Sequence, residues 1–201
     1  MTSEKLYHII EGWKGQIDNP VTKLSMDNVL ETLQEEMRKE AAKSSGKLSV
    51  YKAASNVLKE AKKSYNDTLH GVFMDEGRYC LCDSYRAVRF VKDPGLPKVV
   101  TDKETVKLKR FFDLSKCDLK EINAPSIADL LAFKKTNKVP IGKGKPYCVD
   151  ADRHVYADPQ FLADMLGCLP GCKVYVTTDI GPIYLVSEDG DAICLPVRCK
   201  E

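Results

Sequence analysis

The chain has 201 residues, a hydrophobic content of 43% and a formal net charge of +2, which leaves room for one large domain or one domain with an appendage. It contains no run of about 18 apolar residues, so we expect no transmembrane helix and no membrane partner. The N-terminal sequence has no long apolar core and no small-residue cleavage site, so we expect no secretory signal and a cytoplasmic protein.

Eight cysteines require an interpretation. In a chain without a signal, we expect most of them to be reduced, buried thiols. No pair has the CxxC spacing and no histidine completes a zinc set, so we expect no metal and no cofactor, with a disulfide or a metal site as the alternatives. The cysteines are Cys80, Cys82, Cys117, Cys148, Cys168, Cys172, Cys194 and Cys199.

The N-terminal part of the chain is predicted to form two helices, over residues 4–15 and 26–43. Apolar residues recur at helical spacing in the second helix, and Ser25 is its predicted N-cap. A Ser-Ser-Gly sequence ends this helix. We therefore predict an N-terminal helical extension over residues 1–46 and an α+β domain over residues 47–201.

The predicted α+β domain contains the same order of elements twice, in halves over about residues 47–93 and 147–199. Each half is predicted as a strand, a helix and three strands. The predicted elements are strand 47–50, helix 53–63 and strands 70–75, 78–83 and 86–91 in the first half, and a strand pair within 147–157, helix 158–169 and strands 173–179, 182–188 and 191–197 in the second. Sequence identity between the halves is negligible, so only the order of elements repeats.

The two halves are joined by a basic connecting segment, residues 94–146, in which a helix is predicted over 126–135. Residues 98–145 contain 12 basic and 6 acidic residues, and a basic surface of this kind can contact phosphate or simply be solvated. The glycine-rich stretch IGKGKP, residues 141–146, lacks the frame of a phosphate-binding loop. We interpret it as a solvated connection.

Two short motifs stand at the ends of the predicted halves. The first is the stretch Cys82-Asp83-Ser84-Tyr85-Arg86-Ala87-Val88, and the second is the tail Leu195-Pro196-Val197-Arg198, in which Pro196 cannot continue a central strand. We therefore expect the tail to leave the sheet and to lie on its surface.

The motifs and the order of elements resemble a domain of the DNA sliding clamp, the processivity factor of DNA polymerases, of the bacterial DNA polymerase III beta-subunit type. The first motif resembles the family's TDGHRLA turn, and the second resembles its Met-Pro-Met-Arg-like tail. The resemblance covers about half of the chain, residues 47–93 and 147–199. It implies an α+β fold with one clamp-like domain made of two strand–helix–three-strand halves.

The resemblance further implies a non-enzymatic protein of DNA replication or repair. In the family, the helices line a ring and present Lys and Arg to DNA, which implies weak, sequence-independent DNA binding here through the first helix. The second helix carries Asp158 and Asp164 and no basic residue, and an acidic helix would repel phosphate. The implied DNA-binding residues are Lys52, Lys59, Lys62 and Lys63.

In the family, the TDGHRL-like turn of one domain and the tail of the next form an apolar pocket for short peptides of polymerases and repair proteins. Because this chain has room for one such domain, we expect turn and tail to meet only across a subunit contact, in a homo-oligomer. The implied partner-binding residues are Ser84, Tyr85, Arg86, Leu195, Pro196, Val197 and Arg198. The alternative is a tail that closes the edge of the sheet and binds no partner.

Two other interpretations stay open at this point. One is a protein-interaction module that keeps the clamp fold without encircling DNA. The other is an enzyme within residues 98–152, with Asp150 and Asp152 as a DxD motif that holds magnesium. The sequence contains no GxSxG motif or other nucleophile frame, so we expect no catalytic residues.

Overall fold

The computed structural model describes residues 2–115, 117–137 and 144–198. The chain divides into two compact units, Met1–Leu48 and Ser49–Glu201. Among the described residues, we find no helix that combines the length and the apolar character needed to span a bilayer.

The first unit is a pair of helices, α1 (Ser3–Lys14) and α2 (Pro20–Ser44), as the sequence predicts. The predicted N-cap of the second helix is wrong. The Asn19 side chain accepts hydrogen bonds from the Val21 and Thr22 amides at 2.9 and 3.2 Å, and a proline follows it at the first helical position, where its missing N–H has no cost. The helix therefore starts before Ser25, whose hydroxyl donates to the Val21 carbonyl inside the first turns.

The second unit has a mixed α+β fold, which confirms the predicted fold class. Its helices are α3 (Leu48–Ala61), which begins at the boundary, α4 (Ile127–Thr136) and α5 (Pro159–Cys168). Its strands are β1 (Phe73–Asp75), β2 (Arg78–Cys82), β3 (Arg86–Phe90), β4 (Lys120–Ile122), β5 (Tyr147–Asp150), β6 (Val155–Ala157), β7 (Lys173–Val176), β8 (Ile183–Ser187) and β9 (Gly190–Cys194).

Seven of the described strands form one sheet with a symmetrical order, β1-β2-β3-β9-β8-β7-β4. The central pair, β3 and β9, is antiparallel, with Val88 opposite Ala192 at its middle. Outward from this pair, the first half contributes β2 and then β1, and the second half contributes β8 and then β7. A helix precedes each three-stranded meander, α3 in the first half and α5 in the second. Helix followed by three strands is therefore the unit that occurs twice.

The strand predicted over residues 47–50 is wrong, because α3 already begins at Leu48. Tyr51 and Ala54 are buried and continue the apolar face of Leu58 and Ala61 toward the N-terminus of the helix. A helix therefore buries these apolar side chains on one face. In the second half the strand before the helix exists as β6, which pairs with β5 in a separate two-stranded sheet. The two halves therefore differ in their first element.

Both faces of the large sheet are covered. Arg86 and Val88 share one face by strand alternation, and this face meets the helices because Arg86 contacts Asp164 of α5. On the opposite face, a cluster that includes Cys80, Tyr184 and Ile193 packs against residues of the connecting segment; these are Val99, Val106, Leu108, Phe112, Leu114 and Leu119. Apolar residues from the described part of the connecting segment therefore contribute to the core.

Helices α3 and α5 approach each other closely at Gly167. A Cβ atom on this glycine would lie 2.8 Å from the Cβ of Ala53, which is closer than side chains in proteins pack. The absence of a side chain at position 167 therefore lets the helices of the two halves touch.

The Gly167→Ala variant tests this contact. Alanine normally stabilises a helix interior relative to glycine, by up to about 1 kcal/mol, but here we expect a loss of about 1–3 kcal/mol in the free energy of unfolding because the added methyl overpacks the contact. Urea unfolding measures the change, and Ala53→Gly in the same chain should recover part of the loss. Gly12→Ala in α1, where the methyl meets no atom within 4 Å, is the control. If the losses in the free energy of unfolding caused by Gly167→Ala and by Ala53→Gly simply add in the double variant, the contact is refuted.

Candidate functional site

The C-terminal tail, residues 195–198, leaves the large sheet after Cys194, as Pro196 predicts. The Leu195 amide donates to the Tyr85 carbonyl at 2.9 Å, and the Val197 amide donates to the Tyr156 carbonyl at 2.8 Å. Between these two bonds, Pro196 has no N–H to donate. The tail therefore bridges the turn that connects β2 and β3 to strand β6.

The turn between β2 and β3 is shaped by Asp83, whose carboxylate accepts hydrogen bonds from the amides of Tyr85 at 2.7 Å and Arg86 at 2.9 Å. Ser84 and Tyr85 are exposed, and the Tyr85 ring stacks on Phe161 of α5 with centroids 5.5 Å apart. Turn and tail therefore touch within one chain. The expectation that they meet only across a subunit contact is wrong, because the β3–β9 pairing places both at the same end of the central strands.

Beside the tail lies an open cleft of about 870 Å³, which we call the tail cleft. Its apolar wall includes Tyr156, Val197 and Ile180, the last of which is 60% exposed. Charged groups of both signs surround these side chains; they are Asp118, Asp152, Arg153, Asp179 and Arg198. A concave surface with apolar contacts and polar groups at its margin suits a short peptide.

Arg153 fixes the shape of the tail cleft. Its guanidinium donates to the carbonyls of Asp118 and Thr177 and to the Asp118 carboxylate at 2.9 Å. These bonds join the β5–β6 connection to the end of β7 and to the segment before β4, so three walls of the cleft are held by one side chain.

Arg86, a predicted partner-binding residue, has a structural environment, and its role in partner binding stays a prediction. Its side chain is fully buried, with Nε donating to Asp83 at 2.8 Å and Nη1 donating to Asp164 at 2.5 Å. Asn56 of α3 donates to the same Asp164 at 2.8 Å. Burial lowers the pKa of Arg86, but the two carboxylates outweigh this, and the net direction is upward. Asp83, Arg86 and Asp164, which we call the buried triad, therefore form a structural ion cluster.

The predicted DNA-binding lysines are all exposed, and we call them the lysine face: Lys52 and Lys59 on α3, and Lys62 and Lys63 in the turn that follows it. Lys59 and Lys63 also line a cleft of about 410 Å³ together with Lys134 of α4. Lys63 pairs with Glu60 at 2.6 Å. Three lysines therefore line one cleft, together with the carboxylates of Glu60, Asp158 and Asp164.

The acidic residues of the second predicted helix are engaged in hydrogen bonds. Asp158 caps α5 by accepting hydrogen bonds from the amides of Gln160 and Phe161, and Asp164 belongs to the buried triad. Helix α4 packs on α5, and Lys134 of α4 donates to Gln160 at 2.9 Å. Both carboxylates line the same cleft as the lysines, so the expected repulsion of phosphate by α5 stays a prediction.

The DxD motif does not fit a magnesium site. The Lys120 ammonium lies 2.7 Å from Asp150 and 2.9 Å from Asp152, where it occupies the position of a cation. Its hydrogen bond lowers the pKa of Asp150, with burial acting in the opposite direction. Asp150 also accepts from the amides of Asp152 and Arg153. Within the described ranges, no group of three or more His, Cys, Asp or Glu side chains could hold a metal.

The described cysteines are free thiols. Burial raises the pKa of Cys80, Cys82 and Cys194 to about 12, which keeps them protonated and unreactive. Cys199 and residues 141–143 of the IGKGKP stretch lie outside the described residues.

Sequence reasoning missed Tyr156, Phe161 and Lys134. Each residue lies in a predicted helix or strand. Hydrophobic periodicity predicts which face of such an element is buried, but not which distant segment of the chain packs against that face. The tail reaches Tyr156 and Tyr85 through pairings between residues far apart in sequence. A matched aromatic pair such as Tyr85 and Phe161 becomes recognisable only once the β3–β9 pairing is known.

The Arg86→Met variant tests the buried triad. It leaves two buried carboxylates without their cation, and we expect a loss of about 3–5 kcal/mol in the free energy of unfolding at neutral pH. Urea unfolding at neutral pH measures the change.

Lys63→Met is the matched control, since it removes an exposed cation from its pair with Glu60 and should cost less than about 1 kcal/mol. An Arg86→Met variant as stable as this control would contradict a structural role for the triad.

Comparison of the chain with models of protein families, with curated proteins and with solved structures finds no match. The resemblance to the sliding clamp therefore rests on the order of elements and on the turn and tail motifs quoted above.

Proposed function

We propose that this chain is a non-enzymatic, sliding-clamp-like protein that acts in DNA replication or repair in the cytoplasm. It binds DNA weakly and without sequence preference through the lysine face, and it binds short peptides of DNA polymerases or repair proteins through the turn and the tail. The observation that carries the proposal is the contact between these two segments, in which the Leu195 amide donates to the Tyr85 carbonyl at 2.9 Å.

The exposure of the turn and the tail supports peptide binding. Tyr85 is 49% exposed and Leu195 is 41% exposed, which leaves apolar surface at the point where the segments meet. Val197 and Arg198 extend this surface into the tail cleft. A peptide with an apolar anchor and a polar remainder is complementary to such a surface.

The charge distribution of the helices supports DNA binding. The lysine face is exposed and Lys134 adds a cation beside it. Asp164 of α5 is buried and paired with Arg86, whereas Asp158 caps α5 and lines the same cleft as the lysines. Phosphate contacts by lysine supply affinity that does not depend on base sequence.

Encirclement of DNA would require self-assembly, because one chain contains one clamp-like domain, and we include a homo-oligomer in the proposal. The alternative is an interaction module that keeps the clamp fold without encircling DNA. Turn and tail meet within a single chain, so peptide binding needs no ring in either case.

Fluorescence anisotropy with a labelled DNA duplex tests the first activity. Four lysine–phosphate contacts predict a slope of log affinity against log salt of roughly −3 to −4, and glutamate at all four positions of the lysine face should abolish binding. The control carries the same four charge changes at the exposed lysines Lys92, Lys98, Lys103 and Lys173 and should keep most of the affinity. No binding by the wild type at low salt, or equal loss in both variants, would contradict the proposal.

Calorimetric titration with a peptide that carries the clamp-binding motif tests the second activity. We expect saturable binding by the wild type and its loss in the Pro196→Ala, Val197→Asp double variant, because an aspartate in the tail places a charge against the apolar wall. Val100→Asp, at a side chain that is 99% exposed, is the control and should bind normally. Absence of binding by the wild type would leave residues 195–198 as a structural edge.

A further inference from the structure

The basic connecting segment builds a second charged surface that the proposed function does not use. Asp75 of β1, which is buried, accepts hydrogen bonds from the amides of Leu108 at 2.9 Å and Lys109 at 3.1 Å. Leu108 itself is buried in the core beneath the sheet. The chain around residue 108 is therefore held by backbone hydrogen bonds to Asp75 and by the buried Leu108 side chain. The neighbouring basic side chains are attached to this ordered backbone.

Five cations line a groove of about 830 Å³ along this segment. They outnumber the three carboxylates that line the groove, which belong to Asp75, Glu76 and Asp113. Four of the five cations also have a carboxylate partner: Lys109 pairs with Glu76 at 2.8 Å, Lys107 with Glu104 at 3.5 Å, and Arg89 and Arg78 share Asp191 at 2.6 and 4.0 Å. The cations are Arg78, Arg89, Lys107, Lys109 and Arg110.

Aromatic rings are interleaved with these cations. Arg89 is held by two hydrogen bonds to Asp191, at 2.7 and 2.6 Å, and stacks 4.0 Å from the centroid of the Phe112 ring. Arg110 stacks 4.7 Å from the centroid of Phe111, whose side chain is 43% exposed. Arg110 makes no ion pair with any carboxylate in the described part of the chain.

The groove is separate from the lysine face. The strand register places Arg78 and Arg89 on the same face of the sheet as Cys80 and Asp191. Arg86, on the other face, meets the helices. A ligand in the groove would therefore lie on the side of the sheet opposite α5.

We propose that this surface, the groove together with Phe111, binds single-stranded nucleic acid. Cations track the phosphate backbone, and an exposed aromatic ring beside them stacks an unpaired base. A duplex keeps its bases stacked inside and gains nothing from the ring. An acidic peptide would use the cations but not the exposed ring. The inference does not depend on clamp-like function.

Anisotropy with labelled oligothymidine and oligouridine tests the inference on the full chain. Binding of either strand should weaken with salt. Lys107→Glu with Arg110→Glu should reduce affinity more than tenfold and make the salt slope shallower by about 1.4, since each single-strand contact contributes about 0.7. Phe111→Ala should reduce affinity by about fivefold to a hundredfold, whereas Phe111→Tyr should retain it because the ring remains.

Two controls separate this site from the others. Lys92→Glu with Lys173→Glu makes the same two charge changes at exposed lysines outside both the groove and the lysine face and should leave single-strand binding unchanged. Tyr65→Ala removes a fully exposed ring elsewhere and should have no effect. The inference is overturned if neither strand binds at low salt, or if the groove variants bind like the wild type. It is also overturned if polyglutamate or a duplex binds the groove as tightly as the single strands do.

Discussion

The buried guanidinium of Arg86 is the constraint on which the rest of the second unit depends. It lies at the start of β3, in the first half, yet one of its two carboxylate partners comes from α5 in the second half. An unpaired charge at this depth would cost several kcal/mol, so the sheet accommodates Arg86 only where α5 brings Asp164 to it. Asn56 ties α3 to the same carboxylate. One charge therefore sets the position of both helices on the sheet.

The positions of the proposed binding surfaces follow from that placement. With α5 fixed above the β2–β3 turn, Phe161 meets Tyr85, and the tail passes beside the pair before it reaches β6. The same arrangement withdraws Asp164 from solvent, so the outer side of the helical layer is left to the lysines of α3 and α4. The connecting segment covers the opposite face of the sheet, and its basic residues become a groove of their own.

Much of this could be predicted from the sequence, where a signal is local. The helix predicted over residues 158–169 corresponds to α5, and the strands predicted over 70–91 and 173–197 correspond to the two three-stranded meanders. Local patterns mislead where they support two structures at once. Residues 47–50 have the composition of a strand, but their apolar residues extend the buried face of α3. The role of Arg86, the tail's contact with Tyr156 and the covering of α5 by α4 depend on contacts between distant residues. No local pattern encodes them.

The most direct test of the account is the solution mass of the full chain, measured by sedimentation with and without duplex DNA. The account predicts that DNA shifts the chain into a complex that contains more than one copy, because each chain supplies one clamp-like domain and its lysine face. A chain that stays monomeric, with a mass that DNA does not change, would contradict clamp-like function.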